Sequence, residues 1–259
     1  MALTFYYGSG SPFAWRVWLA LEYKGLAYEQ KIVSFSAGDL RTQEFIAINP
    51  RRKVPAIVDD GFALYESQAI VEYLDERFPQ APRLFAGDVR RRALIRRMVQ
   101  EADQYFVVAM DPLLDHILFG PKEKWDESVI ADARARFGKE VARWEAIISG
   151  DWLAGAEPTA ADFTLYPHIA LALRMEKKKA DLDIRGLIGP RISAWMQRVE
   201  ALPILGKTVP PPRSSGAPSL MPFANATTRS ARGKSVGARP VPPAPKRIST
   251  RRGKVGCVM

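Results

Sequence analysis

The sequence predicts an α/β half of about 80 residues followed by an all-helical half. Three observations carry that expectation. Short β-branched and aromatic runs alternate with helical stretches only before residue 79. From residue 88 to 205 the apolar residues recur with helical spacing alone. Pro79 and Pro82 stand between the two patterns and block helix continuation.

Each element has its own signal. Residues 3–7 form a β-branched and aromatic run closed by Gly8, which predicts a strand. Ser11-Pro12 then sets an N-capping serine before a proline, a strong helix start, and Lys24-Gly25 supplies the glycine stop. Residues 28–33 read as a second strand and 40–48 as a short helix ended by Asn49-Pro50. Residues 54–58 and 62–65 read as strands joined by the turn signal Asp60-Gly61. A helix over 66–78 completes the order β-α-β-α-β-β-α, which gives a small mixed sheet with helices packed on it. Beyond residue 87, one apolar stripe runs from Leu94 to Leu113 and another from Ile130 to Ile148. Thr159 and Asp162 are spaced as a capping box opening a third helix, and a last helix is expected near 192–202. The expected division is 1–79, a linker at 80–87, a helical bundle at 88–205 and a tail at 206–259.

The net charge of +10 suggests a nucleic-acid binder until its distribution is read. Eleven of the 38 Lys and Arg lie from Gly206 onward with no Asp or Glu, so residues 1–205 carry 27 basic and 28 acidic side chains, a net charge of −1. The excess belongs to a proline-rich tail poor in large apolar residues, which is expected to be disordered. The body is therefore not expected to be a specific nucleic-acid binder. The single cysteine, Cys257, permits no internal disulfide and fits a cytoplasmic protein. No membrane association is expected: the first residues lack a leader pattern, no run approaches the roughly 20 apolar residues of a bilayer span, and Cys257 stands third from the end, where prenylation needs the fourth.

Three places can carry chemistry, and each has a plainer reading. Ser11 sits where a strand turns into a helix, so free N–H groups and the helix dipole favour an anion there, thiolate included. Read plainly, it is only an N-cap. Lys53-Val54-Pro55 sets a proline inside a strand, which implies an exposed edge or a cis bond and leaves Val54 free to pair with an extended ligand. Read plainly, it blunts an edge. Glu66-Ser67 opens a helix, where Ser67 can meet a carboxylate and Glu66 an ammonium, or can simply cap. Together the three describe a site for a small zwitterionic peptide bearing a thiol. The two histidines, His116 and His168, stand alone on helices and no metal is signalled.

The run Ser11-Pro12-Phe13 with Arg16-Val17, Ala20-Leu21 and Lys24-Gly25 resembles the opening of serine-type glutathione S-transferases of the phi, tau and bacterial groups. The segment 49–56 resembles their cis-proline segment, 65–70 their γ-glutamyl-binding segment, and Thr159 to Asp162 the capping box of their helical domain. The similarity spans about residues 3–205. It implies a thioredoxin-like glutathione-binding domain before an all-α domain, in a cytoplasmic homodimeric detoxification enzyme that conjugates glutathione to a hydrophobic electrophile. Ser11 would stabilise the thiolate, with Tyr7 and Ser9 as alternatives. Val54 would pair with the cysteinyl main chain, Glu66 and Ser67 would hold the γ-glutamyl group, and Lys53 with Arg41 the glycine carboxylate. Phe13, Trp15, Tyr105, Phe106 and Met110 would wall the second substrate. Glutathione is the co-substrate and no metal is implied. A glutathione-dependent isomerase or dehalogenase, or a non-catalytic interaction module of the same fold, stays open.

Overall fold

The computed structural model describes residues 2–208, all within one compact unit. The expected tail lies outside the described residues from 209 onward. Four strands, β1 (Leu3–Tyr7), β2 (Glu29–Ile32), β3 (Ala56–Asp59) and β4 (Phe62–Tyr65), form one sheet in the order β2-β1-β3-β4. β1 runs parallel to β2 across a helical crossover and antiparallel to β3, and β3 and β4 form the hairpin announced by Asp60-Gly61. Edge strand β2 is exposed throughout and carries Glu29 and Lys31, charges that discourage further pairing.

Alternation along β1 decides how the sheet is covered. Leu3, Phe5 and Tyr7 are buried on one face, under α1 (Pro12–Tyr23) and α3 (Ser67–Arg77). Tyr6 points the other way and joins a small cluster with Val33, Val54 and Phe45 of α2 (Gln43–Ile48). Helix α1 buries eight of its twelve residues because it is sandwiched between the sheet half and the helical half.

The helical half contains α4 (Val89–Glu101), α5 (Val107–Leu113), α6 (Glu127–Ile147), α7 (Ala160–Glu176) and α8 (Pro190–Glu200). The apolar period expected from Leu94 to Leu113 is not uniform. A π-helical turn at Ala102–Phe106 interrupts it and a second at Leu114–Phe119 follows it, each widening the helix locally. The Thr159–Asp162 capping box forms as its spacing predicts. The chain stays folded three residues past 205: Leu205–Thr208 is a 3₁₀ turn whose Thr208 Oγ1 accepts a 2.8 Å hydrogen bond from Trp15 Nε1. Among the described residues no helix is long and apolar enough to cross a membrane.

One buried charge pair fastens the segment after α3. Lys24 Nζ lies 3.3 Å from Asp75 Oδ1 and donates to the Pro82 carbonyl at 3.0 Å. The same carboxylate accepts from Arg83 Nε and from the backbone N–H groups of Leu84 and Phe85. Lys24→Met keeps the aliphatic stem and removes the charge, and is expected to cost about 2 kcal/mol. Urea unfolding of the two proteins measures this directly.

Candidate active site

The strand register gathers the sequence-predicted residues at one end of the sheet. Tyr6 faces Ala56, and Ala56 faces Tyr65. The chain therefore leaves the ladder after β1, enters it at β3 and leaves it after β4 at the same place. Gly8 to Ser11, Val54-Pro55 and Glu66-Ser67 meet there. Gly8 shows how closely they meet: a Cβ at that position would collide with the Phe35 ring and lie 3.1 Å from Val54 Cγ2.

Ser11 is 4% exposed and occupies the N-cap of α1, with φ −78° and ψ 119°. Its Oγ accepts a 3.3 Å hydrogen bond from Ala14 N–H. A hydroxyl used that way still has its own proton to donate. Tyr7 faces the core instead, stacked on Phe5 at 5.4 Å and tilted against Trp18 at 4.8 Å, and burial pushes its pKa up. Ser9 is half-buried.

The Val54–Pro55 peptide is cis. The sequence offered an exposed edge as the alternative, but β3 is an interior strand. Its ladder starts at Ala56, two residues later than expected, so Pro55, which has no N–H to give, lies just outside the pairing. Glu66 has φ 71° and ψ 108°, a costly conformation for a residue with a side chain, and it precedes the first residue of α3, Ser67. Such strain at a loop-to-helix junction points to a functional constraint.

A cavity of about 770 Å³ opens beside this junction. Its lining includes Glu66, Ser67, Phe13, Gln68, Gln100 and Asp103. Ser11, Val54, Lys53 and Arg41 are not in its wall; Lys53 and Arg41 are solvent-exposed, outside it. Of the aromatic and methionine residues expected to wall a second substrate, only Phe13 lines the cavity. Phe106 and Met110 are fully buried, Phe106 edge-on to Phe137 at 4.9 Å, and Trp15 packs on Tyr166 at 5.5 Å. Tyr105 is 59% exposed.

Sequence reasoning missed Asp103. It lies in the first π turn and receives both terminal nitrogens of Arg16, one at 2.9 Å, in a bidentate pair joining α1 to the helical half. Arg16 is 1% exposed. The signal was present as a charged residue in the buried stretch of α1, but its partner is 87 residues away. Arg174 was missed as well: its Nη1 lies 3.2 Å from where a Cβ on Gly10 would stand, beside Ser11.

Comparison with known proteins identifies the family. The family model for the glutathione S-transferase N-terminal domain matches residues 5–82, and that for the C-terminal domain matches residues 127–198. A maleylacetoacetate isomerase of Pseudomonas aeruginosa is 35% identical over 67% of this chain and 82% of its own. The chain belongs to the glutathione S-transferase family. It is an enzyme of that family, a thioredoxin-like sheet domain followed by an all-helical one. Glutathione S-transferase A of Pleuronectes platessa is 26% identical over 81% of this chain and 92% of its own. The theta-class glutathione S-transferase of Xanthomonas axonopodis pv. citri, solved with glutathione bound, superposes with a TM-score of 0.69 at 25% identity, covering 80% of this transferase and 96% of that chain.

Proposed function

We propose that this protein is a serine-type glutathione transferase that conjugates the glutathione thiolate to an electrophilic small molecule. The observation that carries the reading is Ser11. Its Oγ is anchored by Ala14 N–H at the start of α1, so its remaining proton is available to a sulfur at the end of the sheet. A free thiol near pKa 8.5 is about 3% thiolate at pH 7, and lowering that pKa to 7 makes it about half. The O–H donor and the helix N-terminus both favour the anion. Ser67 N–H, at the first turn of α3, suits the γ-glutamyl carboxylate, while Glu66 and Asp103 offer two carboxylates to the ammonium. Val54 lies outside the ladder, where its main chain can pair with the cysteinyl residue. Lys53 and Arg41, both exposed cations, are assigned to the glycine carboxylate. The family reading also implies a cytoplasmic homodimer; Phe62, Tyr105 and Val108, all more than half exposed, are apolar surface for such a contact. Calorimetric titration with glutathione, followed by turnover of 1-chloro-2,4-dinitrobenzene, tests the proposal. Binding with turnover supports it, and binding without turnover of this electrophile favours another glutathione-dependent reaction.

A second reading, a glutathione-dependent isomerase, has a specific observation behind it. Arg174 brings a guanidinium against Gly10, beside the serine, where an acidic substrate would meet it. In that chemistry the thiolate adds to an activated alkene, the carbon–carbon bond rotates, and the thiolate leaves again. Arg174→Ala is expected to raise KM for a carboxylate-bearing alkene at least tenfold more than KM for neutral chlorodinitrobenzene. Equal effects on the two substrates exclude a role for Arg174 in selecting acids.

A further inference from the structure

His168, on α7, is fully buried, and neither ring nitrogen has a hydrogen-bond partner among the described residues. An imidazole carries at least one N–H, so a buried donor is left unassigned. Two residues close around the ring. Phe13 of α1 meets it edge to face at 5.0 Å, and Asp103 Oδ1 lies 3.9 Å from Nε2. Both also line the cavity that holds Glu66 and Ser67. His168 therefore stands immediately behind the cavity wall. Arg16 completes the layer, committed to Asp103 through both terminal nitrogens, with its guanidinium carbon 5.4 Å from the Phe13 ring centre.

We propose that His168 is a positioning residue for this site: its neutral imidazole, with Nε2 toward Asp103, braces Asp103 and Phe13 from behind and sets how firmly the cavity grips the ammonium end of glutathione. The proposal rests on the reading of this cavity as the glutathione site. An adjustment of less than about 1 Å brings Nε2–H into hydrogen-bond range of Asp103. An apolar ring would pack equally well there but would leave the inner side of the carboxylate without a donor.

Charge makes the stability contributed by this buried imidazole depend on pH. Burial first, and Arg16 second, hold the His168 pKa well below its ordinary value of 6.5. Arg16 faces it from α1 and Asp103 from the π turn after α4. The other ionisable groups on the packed elements are engaged elsewhere: Glu101 with Arg97 on α4, Glu200 of α8 with Tyr166. On α5, burial raises the Asp111 pKa, and the next ionisable residue along α7 is Arg174. The unfolded chain protonates His168 near pH 6.5 while the folded chain resists it. Its contribution to stability is therefore complete above that pH and declines as the pH falls below it.

The test uses the full chain, with His168→Gln, which keeps an N–H donor without a titrating charge, and His168→Phe, which keeps only the packing. Glutathione binding is measured calorimetrically from pH 7.5 to 5.0, with melting temperatures in the same buffers. His168→Phe is expected to stay folded and to bind glutathione at least fivefold more weakly at pH 7.5. His168→Gln is expected to bind within twofold of the wild type at pH 7.5. Between pH 6.5 and 5.0 the wild type should lose more of its melting temperature than His168→Gln, while the ratio of their glutathione affinities stays as it is at pH 7.5, because the folded imidazole remains neutral. If His168→Phe unfolds, His168→Leu takes its place in the binding comparison. A His168→Phe protein that binds like the wild type, or a folded His168→Gln protein that binds as weakly as His168→Phe at pH 7.5, overturns the positioning role. A wild type that does not bind glutathione at pH 7.5 overturns the site reading instead, and the proposal with it.

Discussion

Asp162→Ala is expected to remove roughly 3–5 kcal/mol of stability, a large share of what a domain of this kind holds. Asp162 is fully buried and accepts four hydrogen bonds: from Leu153 N at 2.9 Å, and from Thr159 N, Thr159 Oγ1 and Trp195 Nε1 at 2.8 Å each. These tie the start of α7 to the loop before it and to α8. Desolvation outweighs the four donors and leaves the Asp162 pKa raised. Alanine strands these donors in a dry interior, where a stranded donor costs about 1–3 kcal/mol, and loss of the desolvated carboxylate offsets part of that sum. Because α7 forms the seam with α1, the loss will extend to the sheet half. Urea unfolding measures the cost; a change below about 1 kcal/mol would mean that the helical half does not depend on this cap.

Ser11→Ala is expected to lower kcat/KM for glutathione conjugation by about 10²–10³, the usual effect of removing one donor aimed at a developing or resident anion. It also removes the N-cap of α1, at about 1 kcal/mol. Ser11→Asp separates the two effects, since aspartate caps as well as serine but places a negative charge against the sulfur. Ser11→Asp should keep the stability and lose the activity. If alanine lowers stability, aspartate keeps it, and both leave activity within tenfold of the wild type, Ser11 is an N-cap only.

The sequence made the sheet half legible because its signals are local. Ser11-Pro12, Lys24-Gly25, Asn49-Pro50 and Asp60-Gly61 each mark a boundary through the backbone chemistry of one or two residues, and each lies within a residue or two of the observed boundary. The same holds for Thr159 and Asp162, spaced three apart. The strand expected from Val54 was drawn too early because the pairing cannot include Pro55. The π turns were invisible, since one extra residue per turn leaves an apolar period almost unchanged over a short window. What the sequence could not supply was the layer behind the site. Arg16, Asp103 and His168 come from α1, a π turn and α7, and each reads alone as an ordinary charged or polar residue. Phe106 and Met110 read as site residues for the converse reason: an apolar side chain on a helix facing a cleft has the same spacing as one facing the core.

The account rests on Ser11 stabilising a thiolate, and an ultraviolet difference titration of the full-length protein with glutathione tests that most directly. The thiolate absorption band, followed against pH, should show a bound thiol whose pKa lies at least about one unit below the free value near 8.5. Ser11→Ala should return it most of the way. A bound glutathione whose thiol titrates as it does in free solution, or a depressed pKa that survives Ser11→Ala unchanged, would contradict the account.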